Sequence, residues 1–245
     1  MANIIIDFEF TGLYNVVHTP EIVQVLAMNV DNGEWFITNF RSKTPMTAGA
    51  LVCCGGVDPT AGASRYFSAE VLYNLLEREI GANPTTDHYY GFNINTDKAV
   101  LFNEYGVEFA NYTDLNELCM LNDELEFRMA VEGRSLECVY YMITGGVRTA
   151  NHGTFAELAM IKTIYDYVVD EHGEIKPTNE FLHYVPWGEY AGMTILEYVQ
   201  RYRRRADGYR FNNDNLFARS MTSEIELLES GFYEDDEFVN ILDTY

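Results

Sequence analysis

Ile4-Ile5-Ile6-Asp7-Phe8-Glu9-Phe10 lies at the start of the chain and decides how the rest is read. An apolar run of this length forms a buried strand. Side chains alternate along a strand, so Asp7 and Glu9 share one face. Two like charges set among Ile and Phe are unfavourable unless something neutralises them. A divalent cation does so, and hard cations such as magnesium or manganese prefer carboxylate oxygen. The remaining ligands must then come from elsewhere in the 245 residues.

Beyond this run, strand and helix patterns alternate. Strands are expected at 22–30 and 35–40, and Asp31-Asn32-Gly33 between them is a hairpin signal that makes the pair antiparallel. A loop with Gly and Pro follows over 44–63. Ser68 caps a helix through residue 80, with Val71, Leu72, Leu75 and Leu76 on its apolar face. A fourth strand is expected at 88–92 and a shorter fifth at 108–111. Helices are expected over 97–104, 114–128, 135–143 and 154–169. This order implies an α/β sheet domain. Residues 170–180 are polar, contain Pro, and read as a linker or surface loop. A small module over 181–245 completes the chain.

Composition narrows the chemistry. Hydrophobic residues make up 47% and aromatics 14%, which suits a folded protein. The formal charge of −22 argues against a long electrostatic grip on duplex nucleic acid. It leaves room for an enzyme that holds a few nucleotides through metal ions. Cys53, Cys54, Cys119 and Cys138 form no C-x-x-C pair, which argues against structural zinc. The expectation is a reducing, cytoplasmic chain with no signal peptide and no membrane span.

Two further acids and one histidine stand out. Asp97 follows the fourth strand, where residues of α/β sheets line sites. The same position also suits a first-turn acid behind a Thr96 cap. Glu157 precedes Ile161, Ile164 and Val168 by four, seven and eleven residues, which puts it on the buried stripe of its helix. The alternative is a capping box, Thr154-x-x-Glu157. His152 stands just before that helix, beside Gly153.

Together these residues resemble the DnaQ-like 3′–5′ exonucleases of the DEDDh type. The resemblance rests on Asp7-Phe8-Glu9-Phe10-Thr11-Gly12-Leu13, on Asn93-Ile94-Asn95-Thr96-Asp97 with Leu101, on Ser135-Leu136-Glu137-Cys138-Val139-Tyr140, and on His152-x-x-x-x-Glu157. It covers about residues 3–169. The family has Asp where this chain has Glu157, one methylene longer. No Tyr marks the tyrosine-bearing branch of the family.

The resemblance implies a ribonuclease H-like fold with a mixed five-stranded sheet flanked by helices. It also implies two-metal hydrolysis of phosphodiester bonds, with two Mg2+ or Mn2+ ions. Asp7, Glu9, Asp97 and Glu157 would be the ligands and His152 the general base. Thr11, Gly12, Leu13 and Asn93 would contact the terminal nucleotide. The partner would be single-stranded nucleic acid, a 3′ end or a short oligonucleotide, and the product a nucleoside 5′-monophosphate. A binding or adaptor protein that keeps the fold without the activity is the competing expectation. A hydrolase of short oligonucleotides or nucleotide signals is a third.

In the C-terminal module, Trp187-Gly188-Glu189-Tyr190-Ala191-Gly192-Met193-Thr194 looks like the small G-x-Y-x-G-x-T element that follows some nuclease domains of this kind. The helix after it is expected to align Arg201, Arg204 and Arg205 on one face. Tyr202 and Tyr209 are candidates for base stacking. The same arginines could instead pair with the chain's own carboxylates. The acidic tail over 222–245 is expected to pack partly as helix and to cover this patch.

Overall fold

The computed structural model describes residues 1–12, 19–146, 153–176, 180–210 and 215–233. It divides into two compact units, one of Met1–Leu118 with Ser135–Lys176 and one of Cys119–Arg134 with Pro177–Tyr245. The expected division after residue 169 differs from this, because residues 119–134 group with the C-terminal segment. The segment expected as a linker or surface loop carries a defined turn at its start. Val169 bridges Ile175, and Asp170 closes the turn by accepting the N–H groups of His172 and Glu174.

The first unit is built on five strands, β1 (Asn3–Phe10), β2 (Ile22–Asn29), β3 (Trp35–Asn39), β4 (His88–Gly91) and β5 (Asn111–Asp114). Their order in the sheet is β3-β2-β1-β4-β5. β2 runs antiparallel to β1 and β3, whereas β4 runs parallel to β1 and β5. Gly33, at φ 77°, supplies the left-handed residue of the β2–β3 turn. This mixed five-stranded sheet flanked by helices is the α/β architecture that the resemblance implied. The fifth strand lies three residues later than expected, where it pairs with His88–Gly91.

The two faces of β1 have different neighbours. Ile4, Ile6 and Phe8 join a core with Leu72 and Leu76 of α2 (Ala69–Ile80) and Ile94 and Leu101 of α3 (Ile94–Tyr105). The opposite face, which carries Ile5, Asp7 and Glu9, belongs to the side packed by α7 (Phe155–Val168). Ser68 caps α2 through the Val71 N–H, as expected. A short helix, α1 (Ala48–Cys53), stands inside the segment expected to be a loop, capped by Thr47. The single helix expected over 114–128 is two, α4 (Leu115–Met120) and α5 (Asp123–Glu132), separated because Asn122 accepts the Glu124 and Leu125 N–H groups and starts a new helix. α6 (Leu136–Thr144) packs on α7.

In the second unit, the backbone explains the G-x-Y-x-G-x-T pattern. Gly188 and Gly192 both sit at positive φ, 80° and 84°. A Cβ on Gly192 would also meet Val131 Cγ2 at 3.0 Å. Thr194 caps α8 (Ile195–Arg201) in a full capping box with Glu197. Tyr202 ends that helix, and α9 (Arg203–Ala206) follows. Arg201 and Arg204–Arg205 therefore lie on different helices, and the expected common face does not form. α10 (Leu216–Glu229) contributes fully buried Met221 and Ile225 to this unit. Residues 222–229, the start of the segment expected to pack partly as helix, do lie in α10, with Ile225 buried, and residues 234–245 lie outside the described residues.

Among the described residues, no helix is long and apolar enough to cross a membrane.

Candidate metal centre

The strand β1 delivers Asp7 and Glu9 to one side of the sheet, and α7 delivers Glu157 from above. One ligand oxygen of each lies within 4.8 Å of the others. Glu157 is 3% exposed, and Asp7 and Glu9 are partly exposed. Burial pushes the Asp7 carboxyl well above the usual range, and the charges of Glu157, Asp97 and Glu9 push it further. Like charges gathered in this way resist simultaneous ionisation. The donor set is all hard oxygen, which fits a divalent ion of the magnesium or manganese kind.

Asp97 stands outside this tight trio but within its field. Its carboxyl is raised well above the usual range by burial, then by Glu9, Asp114 and Glu157. It comes from the first turn of α3, which starts at Ile94 behind an Asn93 cap rather than behind Thr96. Gly91, at the end of β4, makes the close approach of α3 possible. A Cβ there would stand 2.8 Å from the Ile6 carbonyl and 2.9 Å from Ile94 Cβ.

Asp114, not anticipated from the sequence, anchors this corner. Its carboxylate accepts the N–H groups of Asn93 and Asn116 at 3.0 Å and of Asn95 at 3.3 Å. Those bonds hold the start of α3 and so the placement of Asp97. The available signal was only an acid at the start of the helix expected over 114–128. Asn93 takes the left-handed conformation, φ 61°, and its side-chain oxygen accepts from Asn116.

Glu157 resolves the two readings of its helix. Its Oε2 accepts the Gly153 N–H at 2.6 Å, whereas the Thr154 side chain makes no cap bond. The capping box is therefore absent, and Glu157 both fixes the turn before α7 and faces Asp7. Gly153 stands at φ 74° against Gln24, where a Cβ would fall 2.0 Å from Gln24 Oε1. Gln24 is cross-strand partner to Glu9 and donates to Asn39 Oδ1 at 2.7 Å.

The Thr11 side chain is fully buried and accepts the Glu21 N–H. Gly12 lies against Thr47, where a Cβ would stand 2.8 Å from Thr47 Cγ2. Cys54 is within the same field, its thiol pushed up to about 12 by burial and then by Glu9, Cys53 and Glu157. Leu13 and His152 lie outside the described residues.

The arginines of the second unit are largely committed internally. Arg203 and Arg210 both pair with Glu229, at 2.7 and 2.5 Å. Arg205 Nη1 donates to Tyr190 Oη at 2.7 Å and stands 3.5 Å from Glu189. Arg201 and Arg204 are exposed.

No family model matches the chain, and no curated protein matches it. Among solved structures it is similar to the zinc-ion-bound form of E. coli exonuclease I in complex with single-stranded DNA. That match has 14% identity and a TM-score of 0.47, over 68% of this chain and 42% of the other. It is similar also to E. coli exonuclease I with a dT13 oligonucleotide, at 17% identity and TM-score 0.44, over 67% and 41%. Exonuclease X in complex with 5′-overhanging duplex DNA matches at 16% identity and TM-score 0.43, over 67% and 92%. The chain thus covers less than half the length of the two exonuclease I chains.

Proposed function

We propose that this chain is a metal-dependent 3′–5′ exonuclease that releases nucleoside 5′-monophosphates from nucleic-acid 3′ ends. The observation that carries this reading is the convergence of Asp7, Glu9 and Glu157 within 4.8 Å, with Asp97 in the same field. Asp7, Glu9 and Glu157, supported by Asp97, would hold two divalent ions. Bound there, such ions supply Lewis-acid stabilisation of the attacking and leaving oxygens of a phosphodiester.

The chain's own residues do the rest. His152, which precedes Gly153 in the sequence, would take the proton of the attacking water as general base. Gly12, Leu13 and Asn93 receive the terminal nucleotide, and Thr11, whose side chain is fully buried and bonded to the Glu21 N–H, holds the backbone before Gly12 rather than touching the nucleotide. Arg201, Arg204 and Arg205 are further candidate contacts to nucleic acid from the C-terminal segment.

A second reading, binding without hydrolysis, is favoured by one observation: Glu157 Oε2 already accepts the Gly153 N–H. One experiment separates the two. Oligonucleotides of DNA and RNA labelled at the 3′ or 5′ end are incubated with Mg2+ or Mn2+, beside Asp7→Ala and Glu157→Ala. Metal-dependent shortening from the 3′ end that both variants lack supports the exonuclease. Intact oligonucleotides under every condition overturn it and leave the binding reading.

A further inference from the structure

The acids of this chain are unevenly spread. Between Glu34 and Glu70 the only acid is Asp58, and the same stretch carries Arg41, Lys43 and Arg65. In a chain of net charge −22 this stretch is an inversion of sign. The fold gathers its cations. Arg41 N donates to the Arg65 carbonyl at 2.8 Å, and Arg41 and Tyr66 form a parallel bridge. Arg41 Cζ stands 5.4 Å and Lys43 Nζ 5.8 Å from the centre of the Tyr66 ring. Arg65 Cζ stands 5.8 Å from that of Phe40.

All three cations and Tyr66 are exposed. Among the described residues, none of the three cations makes an ion pair, unlike Arg203, Arg205 and Arg210. Arg41, Lys43 and Tyr66 border an open cleft of about 340 Å³. Two acids, Glu21 and Glu104, also line it. The Glu21 carboxylate accepts the N–H groups of Lys43 at 3.0 Å and Thr44 at 2.8 Å, and the Lys43 charge also favours its ionised form.

Glu21 also ties this patch to the rim of the acid centre. Its N–H donates to Thr11 Oγ1 and its carbonyl accepts the Thr11 N–H, both at 2.9 Å. The Thr47 N–H donates to the Thr11 carbonyl at 2.8 Å. The segment from Arg41 to Thr47 is therefore fastened to the residues that directly follow Asp7 and Glu9. Phe10 pairs with Ile22, and the Val23 carbonyl accepts the Phe40 N–H. Arg41 thus lies two strands across from the end of β1, a span of about 10 Å at ordinary strand spacing.

We propose that Arg41, Lys43 and Arg65 bind the phosphodiester backbone of a nucleic-acid strand whose 3′ end occupies the acid centre. The exposed Tyr66 ring offers an aromatic surface beside them, the combination of cation and ring on which single strands are held. This inference rests on the exonuclease reading for the direction of the strand. It assigns the upstream hold on the strand to the first unit itself.

The test uses the full chain and the triple variant Arg41→Gln, Lys43→Gln, Arg65→Gln, in which only exposed side chains change. Fluorescence anisotropy with oligothymidylates of two and twelve nucleotides, in Ca2+, reads affinity against salt. Three phosphate contacts on a single strand, each contributing a slope of roughly 0.7, predict a log–log salt slope shallower by about 2. They also predict roughly 100-fold weaker binding of the twelve-mer at 0.1 M salt, with a much smaller loss for the dinucleotide. Equal affinity and slope for variant and parent on the twelve-mer overturn the proposal. So does parent binding to polyglutamate that matches the twelve-mer and falls by the same factor. Hydrolysis of the twelve-mer by the parent in Mn2+ is read separately. If hydrolysis is absent but the variant still loses affinity, the exonuclease reading falls and the strand-binding patch stands.

Discussion

Glu157→Gln should make the metal-free protein more stable and remove most of its response to divalent ions. The ligand oxygens of Asp7, Glu9 and Glu157 lie within 4.8 Å of one another. At that separation and an effective dielectric near 20, each like-charged pair costs about 3.5 kcal/mol. Glu157 takes part in two such pairs, with Asp7 and with Glu9. Part of this repulsion is already relieved by proton uptake at Asp7, whose carboxyl is pushed up. Part of the gain is also lost, because the Gly153 N–H exchanges a carboxylate acceptor for a neutral amide, about 1 kcal/mol. A net gain of about 3 kcal/mol remains, which for a chain of this size is a rise of roughly 6–12 °C in Tm.

Divalent ions should reverse the order of effects. An ion at 100 times its Kd stabilises the parent by about 2.7 kcal/mol, and the variant, one carboxylate short, gains far less. Scanning calorimetry in chelator and then in Mn2+ measures both quantities. A variant less stable than the parent in chelator would show that the cluster is not under electrostatic strain. An unchanged Mn2+ shift would show that Glu157 is no ligand.

The raised Asp7 and Asp97 carboxyls set a pH dependence: burial, then neighbouring carboxylates, keeps them protonated in the folded state beyond the usual range. The stability they contribute is therefore fully present below the ordinary carboxylate value and is lost as pH rises through the raised ones. Denaturation in chelator should show stability falling as pH climbs out of the acid range, while Mn2+ affinity by calorimetric titration rises; a flat profile in both contradicts the assignment. Asp114→Ala strips three backbone N–H groups of their acceptor and should cost about 2–3 kcal/mol. Hydrogen exchange should localise that loss to residues 93–97, and unaltered protection there would sink the anchoring role. Gly153→Ala forces a left-handed alanine, about 1–2 kcal/mol, and displaces Gln24 from Asn39. Urea denaturation should show more than that conformational penalty alone, and a neutral result would mean that the turn before α7 relaxes freely.

The parts of the fold that were legible in the sequence are those decided within a few residues. Alternation in β1 places Asp7 and Glu9 on one face with no help from the rest of the chain. Asp31-Asn32-Gly33 dictates its hairpin because only a left-handed residue closes the turn, and Ser68 caps α2 through its own neighbour three residues on. What escaped was decided at a distance. Asp114 is a helix-compatible acid by pattern, yet it ends a strand, because its partners Asn93 and Asn95 come from another part of the chain. Nothing in the 3.6-residue period of 114–128 announces that Asn122 will start a second helix. The arginine face failed for a similar reason: Tyr202 packs against Tyr190 and Tyr198 and breaks the helix between Arg201 and Arg204.

The candidate site follows the same division. Each acid was visible alone, but Glu157 had two local explanations. Only the fold separates them, through the Gly153 N–H and the absence of a Thr154 cap bond.

Counting charges misleads in this chain, and pairing is the better guide. By count, the Arg201–Arg210 segment is the basic region and the obvious place for phosphate. By pairing, Arg203 and Arg210 share Glu229, and Arg205 is held by Tyr190 and Glu189. Exposed pairs of this kind contribute little to stability, about 0–1 kcal/mol, but a phosphate must still displace the carboxylate to take the same donors. Arg41, Lys43 and Arg65 form no ion pair among the described residues; Glu21, in the same cleft, accepts the Lys43 and Thr44 amides and feels the Lys43 charge only as a secondary influence. A strand approaching this molecule meets repulsion over most of its surface. On the proposed reading, repulsion elsewhere would concentrate a bound strand where cations are free of ion pairs, so an acidic surface is compatible with selection of one track.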